Sequence, residues 1–401
     1  MQPSLMRPIL LLLVLLSGLV AQAQQGPVAF VEGDWGQTLA QAKKADKPVF
    51  LYMWSMGCGP CRTMARDVFP DPAVGGYYNA TFISHKANMD EAAGKEIAEQ
   101  YGIRSLPAYL YFDAQGHLLH RSGSGKSAAA FIQDGKDAFD PNKAFFKLKA
   151  RYEAGERGAD LLYTLSTADG MNQETTLYDQ VAADYLKSQT AQELASPKNQ
   201  AYIFEASTAF ESPVTRYFLI HGSAFVSRYG ATKVRHKTRQ IIWWQAQQIA
   251  EKSNAAALAA LQTTIGQLMP GEAAQWQALA DVIYLLGQPK RDWPKYADTA
   301  LAYGRKYAAQ DPETSYEAAT YIKVFVADKL LLKKADQLIQ QAIAIEATYD
   351  NLLLRAELLH KIGDNTQAAT VAKQAIEAAG KNQEHTEGAM ELLASIAPSQ
   401  K

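Results

Sequence analysis

The cysteines of this chain, Cys58 and Cys61, are the only two among its 401 residues, and two positions separate them. They lie in the segment WSMGCGPC, residues 54–61, which follows the apolar and aromatic run VFLYM. Three roles are open to such a pair: a structural disulfide, part of a metal site, or a redox-active dithiol. The choice among these roles constrains both the fold and the function.

The first two roles fit the sequence poorly. A disulfide between cysteines this close encloses a small loop and removes little entropy from the unfolded chain. A structural zinc site needs four ligands, and the available histidines, His85, His117 and His120, lack a paired-ligand spacing. Covalent haem attachment needs a histidine after the second cysteine, where this chain has Arg62. We therefore expect no metal and no other cofactor.

A redox role agrees with the local pattern, because a helix is predicted from Cys58 to Phe69. A cysteine at a helix N-terminus lies near unpaired backbone N–H groups and the positive end of the helix dipole, which stabilise the thiolate. Gly59 allows close backbone approach, and Pro60 fits the first turn because its missing N–H would have no intrahelical partner there. Cys61, one turn later, can reach back and close the disulfide.

Strand and helix patterns alternate from about residue 35 to residue 138, which is typical of a layered α/β domain. The predicted elements are a helix at 37–47, strands at 49–54 and within 80–90, a helix at 91–102, a hairpin with its turn at 113–116, and a helix at 127–139.

Three motifs of this region occur in the order found in the thioredoxin family, which the region resembles. WSMGCGPC matches the active-site run of the family, KANMD (86–90) resembles the end of its next strand, and YGIRSLPAYLYF (101–112) resembles the segment that carries its cis-proline. The resemblance implies a central mixed sheet with helices on both faces.

The same resemblance implies roles for individual residues. Cys58 would be the nucleophile and Cys61 the resolving thiol, while Leu106–Pro107, joined by a cis bond, would form the platform for the substrate backbone. Supporting roles at the active site fall on Trp54, Gly59, Pro60 and Lys86.

Three features depart from the family pattern. Gly57 stands where the family usually has an aromatic residue, so we expect an exposed and mobile chain there. Tyr52 replaces the buried aspartate of thioredoxins, which is thought to help the resolving cysteine lose its proton. An insertion at 67–79 resembles exported thioredoxin-like proteins with appended domains more than the small cytosolic thioredoxins.

Beyond Asp140–Pro141 the composition favours helices, starting with one at 142–157. Ala335, Leu338, Ile339 and Ala342 recur 33 positions later as Ala368, Val371, Ala372 and Ala375. This offset and the turn at 361–364 resemble a tetratricopeptide repeat. The predicted fold class is an α/β thioredoxin-like domain at 24–141 followed by an all-α helical-repeat domain at 142–401, with the repeats within 280–401.

The first residues resemble a secretory signal peptide at 1–23, because Arg7, an apolar run at 9–16 and an Ala-x-Ala exit at 21–23 follow one another. We therefore expect export to the periplasm or another extracytoplasmic space, where cysteine pairs stay oxidised. No later segment is apolar enough for stable membrane insertion.

A formal net charge of −1 argues against nucleic acid as a partner, since such proteins usually carry a strong basic excess. The one basic cluster, RHKTRQ at 235–240, is predicted to be a solvated helix face.

Two functions are consistent with these features. The first is an exported thiol-disulfide oxidoreductase, a reductase or isomerase because its Gly-Pro dipeptide resembles that of reducing thioredoxins. Its partners would be protein substrates with disulfides or thiols and a membrane thiol relay as electron donor. The alternative is a periplasmic binding or assembly protein, in which the helical region grips a partner and the thioredoxin domain is mainly a platform.

Overall fold

The computed structural model describes residues 26–382 and 386–396, so the predicted signal peptide lies outside the described residues. The first elements are α1 (Trp35–Ala45), β1 (Val49–Trp54), α2 (Gly59–Thr63), α3 (Pro72–Thr81), β2 (Ile83–Asn88), α4 (Ala92–Gln100), β3 (Ala108–Phe112), β4 (Leu118–Gly123) and α5 (Ala128–Asp137). Then come α6 (Phe145–Glu153), α7 (Ala159–Ser166), a 3-10 turn (Asp169–Gln173), α8 (Thr175–Ser188) and α9 (Ala191–Leu194).

The remaining elements are all helices: α10 (Pro197–Ala206), α11 (Pro213–Ile220), α12 (Gly222–Tyr229), α13 (Ala231–Glu251), α14 (Ala255–Leu268), α15 (Ala273–Gly287), α16 (Trp293–Tyr307), α17 (Pro312–Phe325), α18 (Lys329–Ile343), α19 (Tyr349–Ile362), α20 (Asn365–Asn382) and α21 (Glu387–Ile396). The predicted order, a thioredoxin-like α/β domain followed by helices, is confirmed. Among the described residues, no helix is long and apolar enough to span a bilayer.

The four strands form one mixed sheet in the order β2-β1-β3-β4, in which only β1 and β2 run parallel. Because side chains alternate along a strand, β1 sends Phe50 and Tyr52 to one face and Leu51 and Met53 to the other. The first face packs under α2, α3 and α5, and the second packs under α1 and α4. The predicted sheet with helices on both faces is therefore confirmed.

The face below α2 is unusually aromatic. Phe131 of α5 stacks on Tyr78 of α3 with ring centroids 4.3 Å apart, and Phe50 lies at the centre of the same cluster. Cys61 packs into this cluster. The Cys61 end of the cysteine pair is thus held by the domain core.

Two local features differ from the sequence expectation. The insertion at 67–79 contributes a helix, α3, for which no element was predicted. Its N-cap is Asp71, and Asp71 followed by Pro72 is a standard helix start. The predicted helix at 58–69 is α2 followed by a π-helical turn, Met64–Val68.

By compactness the chain divides into two units between Ser196 and Pro197. In the first unit, α6 packs against β4 of the sheet. Phe145 of α6 is fully buried, and its N–H donates to His120 Nδ1 over 2.9 Å. Helices that follow the predicted boundary at Asp140–Pro141 are therefore part of the packing of the first unit.

The second unit contains α10 to α21. The positions related by the 33-residue offset lie on α18 and α20, and all of them are buried. They are Ala335, Leu338, Ile339 and Ala342 on α18, and Ala368, Val371, Ala372 and Ala375 on α20.

The basic cluster at 235–240 lies on α13, but the prediction of a solvated face is wrong for Arg239. Its side chain is 7% exposed and contacts the carboxylates of Asp311, Glu313 and Glu317. The three acidic residues lie more than seventy positions later in the chain, so local sequence offered no sign of this pairing.

Candidate redox site

Cys58 and Cys61 form a disulfide at the start of α2, with sulfurs 1.99 Å apart. Cys58 is the N-cap of the helix, and its Sγ lies 3.1 Å from the N–H of Cys61. Cys58 is half-buried, whereas Cys61 is 2% exposed. An attacking thiol from outside therefore reaches Cys58 more readily than Cys61.

Gly59 and Pro60 form the first turn of α2, as predicted. Cβ of Pro60 lies 3.8 Å from the position that a Cβ at Gly125 would occupy. The loop after β4 thus runs beside the active-site helix.

The segment before the cysteines is held by two side chains from outside it. The Met56 N–H donates to Asp90 Oδ2 over 2.8 Å, and the Arg62 guanidinium donates to the Met56 carbonyl oxygen over 3.0 Å. Gly57 is exposed, as expected, and a Cβ there would meet no atom within 4 Å. Asp90, the last residue of KANMD, was not singled out by the sequence.

The Leu106–Pro107 peptide bond is cis, as predicted. Leu106 is half-buried and packs against the same aromatic cluster as Cys58 and Cys61. A Cβ at Gly123 would lie only 2.9 Å from the Pro107 carbonyl oxygen, so glycine permits close approach of β4 to this loop. Of the residues predicted for the active site and the substrate platform, Trp54, Cys58, Cys61 and Leu106 therefore contact one core cluster.

Behind the cysteines lies a cavity of about 360 Å³. Its lining includes Phe30, Tyr52, Trp54, Cys61, Phe69 and Lys86. Lys86 is exposed, with its Nζ 5.8 Å from the Phe30 ring centroid, and lies opposite Tyr52 in the β1–β2 register. The predicted supporting residues Trp54 and Lys86 therefore border the buried side of Cys61.

The histidines considered as metal ligands have other contacts. Nδ1 of His85 lies 3.0 Å from the Thr38 hydroxyl, and Nδ1 of His117 lies 2.9 Å from Asp113. Within residues 26–382 and 386–396, no group of three or more His, Cys, Asp or Glu side chains is arranged to hold a metal ion.

A mixed sheet covered on both faces, a Cys-x-x-Cys disulfide at a helix N-terminus and a cis-proline before β3 together define a thioredoxin-like domain. The family described as thioredoxin-like domain matches residues 35–138. The match spans about a quarter of the chain and includes both cysteines and the cis-proline.

Relatives align with the same region. Thioredoxin M-type from spinach chloroplasts is 36% identical over 69 residues, which are 17% of this chain and 35% of the spinach protein. Thiol:disulfide interchange protein DsbD from Vibrio vulnificus (strain YJ016) is 31% identical over 120 residues, 28% of this chain and 20% of that protein. The chain thus spans well under two thirds of the length of either relative.

Among solved structures, a candidate disulphide isomerase from Bacteroides thetaiotaomicron is 28% identical, with 29% of this chain and 98% of that one covered and a TM-score of 0.27. The sequence matches and the paired cysteines support thiol-disulfide oxidoreductase chemistry at Cys58 and Cys61.

Proposed function

We propose that this protein is an exported thiol-disulfide oxidoreductase that reduces or isomerises disulfides of other proteins. The observation that carries the proposal is the Cys58–Cys61 disulfide, with Cys58 at the N-terminus of α2 and Cys61 2% exposed. Leu106, which packs against the same aromatic cluster as the cysteines, and Pro107 would bind the substrate backbone.

In the reducing direction, the Cys58 thiolate attacks one sulfur of a substrate disulfide. The substrate S–S bond breaks, one substrate sulfur leaves as a thiolate, and a mixed disulfide joins Cys58 to the other sulfur. Cys61, as a thiolate, then attacks Cys58 Sγ and releases the second substrate thiolate. Two electrons pass from the dithiol to the substrate, and the product is the Cys58–Cys61 disulfide seen here.

A new cycle requires a dithiol donor that reduces this disulfide. The Ala-x-Ala pattern at 21–23 supports export, and an exported protein has no access to cytosolic reductants. We therefore propose a membrane thiol relay as donor; the similarity to a thiol:disulfide interchange protein supports this step. The Gly-Pro dipeptide between the cysteines resembles that of reducing thioredoxins, and this resemblance favours reduction or isomerisation over oxidation.

The test is covalent trapping with the full-length Cys61→Ser variant. Without the resolving thiol, Cys58 still attacks but the mixed disulfide persists, so exported proteins should accumulate as adducts on non-reducing gels. The matched control is Cys58→Ser, which should give no adducts. Absence of adducts from Cys61→Ser would contradict the enzyme proposal.

The reduction potential of the pair tests the direction. Thioredoxin lies near −270 mV and a strong oxidant such as DsbA near −120 mV, so a reductase or isomerase should lie at or below about −180 mV. Equilibration with glutathione buffers measures it, and a value near that of DsbA would contradict a reducing role.

Binding of a partner by the helical region is the second candidate. On α17, Phe325 is 57% exposed, and it stacks on Trp293 of α16 with centroids 6.0 Å apart while Arg291 lies 5.5 Å from its ring. Exposed aromatic and arginine side chains are enriched at protein interfaces. This function would be supported by a partner that still binds the double variant Cys58→Ser/Cys61→Ser but no longer binds the Phe325→Ala variant.

A further inference from the structure

The 3-10 turn at Asp169–Gln173 contacts the loop that precedes the cis-proline. The Gln173 side-chain oxygen accepts a hydrogen bond from the Arg104 N–H over 2.7 Å. Its amide nitrogen donates to the Ser105 hydroxyl over 2.6 Å and lies 3.4 Å from the Ser105 carbonyl oxygen. One side chain therefore holds the two residues before Leu106–Pro107, although it lies 69 and 68 positions away from them in sequence.

The turn is itself anchored on β4. The Arg121 guanidinium, only 4% exposed, donates to the Gly170 carbonyl oxygen and to Glu174, both over 3.0 Å. A Cβ at Gly170 would lie 2.7 Å from both the Arg121 carbonyl oxygen and the Phe145 ring, so only glycine fits this close approach. The 3-10 turn that carries Gln173 is thus fixed against β4, which restricts the positions that the Gln173 side-chain amide can reach.

A second contact joins the same turn to the other loop beside the cysteines. The Asp169 carboxylate lies 2.5 Å from the Lys126 ammonium, and the Lys126 N–H lies 3.3 Å from Met64 Sδ, just after α2. The turn therefore touches the loops on two sides of the active site, from a position outside the region matched by the thioredoxin-like family.

We propose that Gln173 is a positioning residue for polypeptide substrates: it fixes the backbone of Arg104 and Ser105 so that Leu106–Pro107 meets an extended substrate in one orientation. The inference rests on the proposed role of Leu106–Pro107 as the substrate platform. A polypeptide needs this platform to orient its disulfide toward Cys58, whereas a small disulfide reacts without it. Gln173 therefore discriminates between the two kinds of substrate.

The experiment compares two second-order rate constants for the Cys61→Ser full chain, with and without Gln173→Ala. One is for mixed-disulfide formation with insulin, and the other is for the small disulfide 5,5′-dithiobis(2-nitrobenzoic acid). Loss of the amide contacts should lower the rate constant for reaction with insulin about tenfold. The rate constant for reaction with the small disulfide should stay within about twofold of its starting value. Asn172→Ala, at an exposed position of the same turn, is the matched control and should change neither.

An unchanged insulin constant in Gln173→Ala would overturn the proposal, and so would an equal fall of both constants, which indicates general damage to the site. Thermal unfolding of each variant separates such damage from altered positioning. The ratio of the two constants depends only on attack by Cys58. A protein that traps insulin but never turns over would therefore contradict the proposed reductase or isomerase function without affecting the conclusion on Gln173.

Discussion

The Tyr52 hydroxyl donates a hydrogen bond to the backbone carbonyl oxygen of Cys61 over 3.2 Å, directly behind the active-site disulfide. Tyr52 is 4% exposed, and burial raises its pKa well above the ordinary tyrosine value. The hydroxyl therefore stays protonated throughout the neutral and mildly alkaline range. Tyr52 supports the active-site helix at the position of the family's aspartate without offering a base to Cys61.

Tyr52→Phe tests this conclusion. Removing the hydroxyl should lower the free energy of unfolding by about 1 kcal/mol, because one buried hydrogen bond is lost. The pH dependence of mixed-disulfide resolution between pH 6 and 9 should match that of the wild type, since no titrating group disappears. A displaced pH profile would show that Tyr52 takes part in proton transfer.

Tyr52→Asp should speed resolution by Cys61, because a carboxylate behind the thiol can accept its proton. The variant should also lose roughly 3–5 kcal/mol of stability through loss of a large buried ring, here one packed against Phe69 at 4.8 Å. Tyr52→Asn is the matched control, with the same loss of volume and no acid. Stopped-flow resolution rates and urea unfolding check both effects; equal rates for Asp and Asn would contradict the carboxylate effect.

The two thiols of the reduced protein should differ strongly in alkylation. Cys58 caps α2, where unpaired N–H groups favour the thiolate, while Cys61 is 2% exposed. At limiting iodoacetamide and pH 7, peptide mass spectrometry should find Cys58 modified at least about tenfold more than Cys61. Preferential labelling of Cys61 would reverse the assignment of nucleophile and resolving thiol.

Asp134 should make the first unit sensitive to acid. Burial raises the pKa of this carboxyl, but the His120 hydrogen bond, the Lys126 charge and the Ser122 hydrogen bond outweigh burial and hold the pKa below its usual range. Because the pKa of Asp134 is lower in the folded state than in the unfolded state, its ionised carboxylate stabilises the fold at pH values above the unfolded pKa of about 3.9. This contribution is lost as the pH falls through the folded-state pKa.

Asp134→Asn should therefore cost about 3 kcal/mol at pH 7 and lose less additional stability than the wild type between pH 5 and 3. Urea denaturation at several pH values measures both. Asp137→Asn, on the same helix but paired with a half-exposed Lys143, is the control and should cost less than about 1 kcal/mol. Parallel acid curves for wild type and Asp134→Asn would contradict this account.

The position of a truncation should matter. A chain ending at Ser196 keeps α6 on the sheet, whereas one ending at Pro141 uncovers β4 and removes the fully buried Phe145. The shorter chain should unfold roughly 10 °C lower, the shift caused by a loss of about 2 kcal/mol in a domain of about 100 residues. Circular dichroism melts of both chains measure it, and equal midpoints would show that α6 adds nothing to the domain.

The sequence by itself determined those structural features that depend on residues close together in the chain. The strand at Val49–Trp54 and the start of α2 at Cys58 follow from local patterns. The cis bond at Pro107 follows from the resemblance of the surrounding motif to the thioredoxin family. Even the helix at 72–81, which was missed, carried a local signal in Asp71–Pro72.

Tertiary structure alone decided which distant side chains meet. Gln173 reaches Arg104 across 69 positions, and Arg239 reaches Glu317 across 78. A glutamine or an arginine on a helix or turn has the same local pattern whether it faces solvent or a buried partner, because its environment depends on how the elements pack. For this reason the redox cysteines could be located from the sequence, whereas the contact of Gln173 with the loop before Leu106–Pro107 could be found only in the tertiary structure.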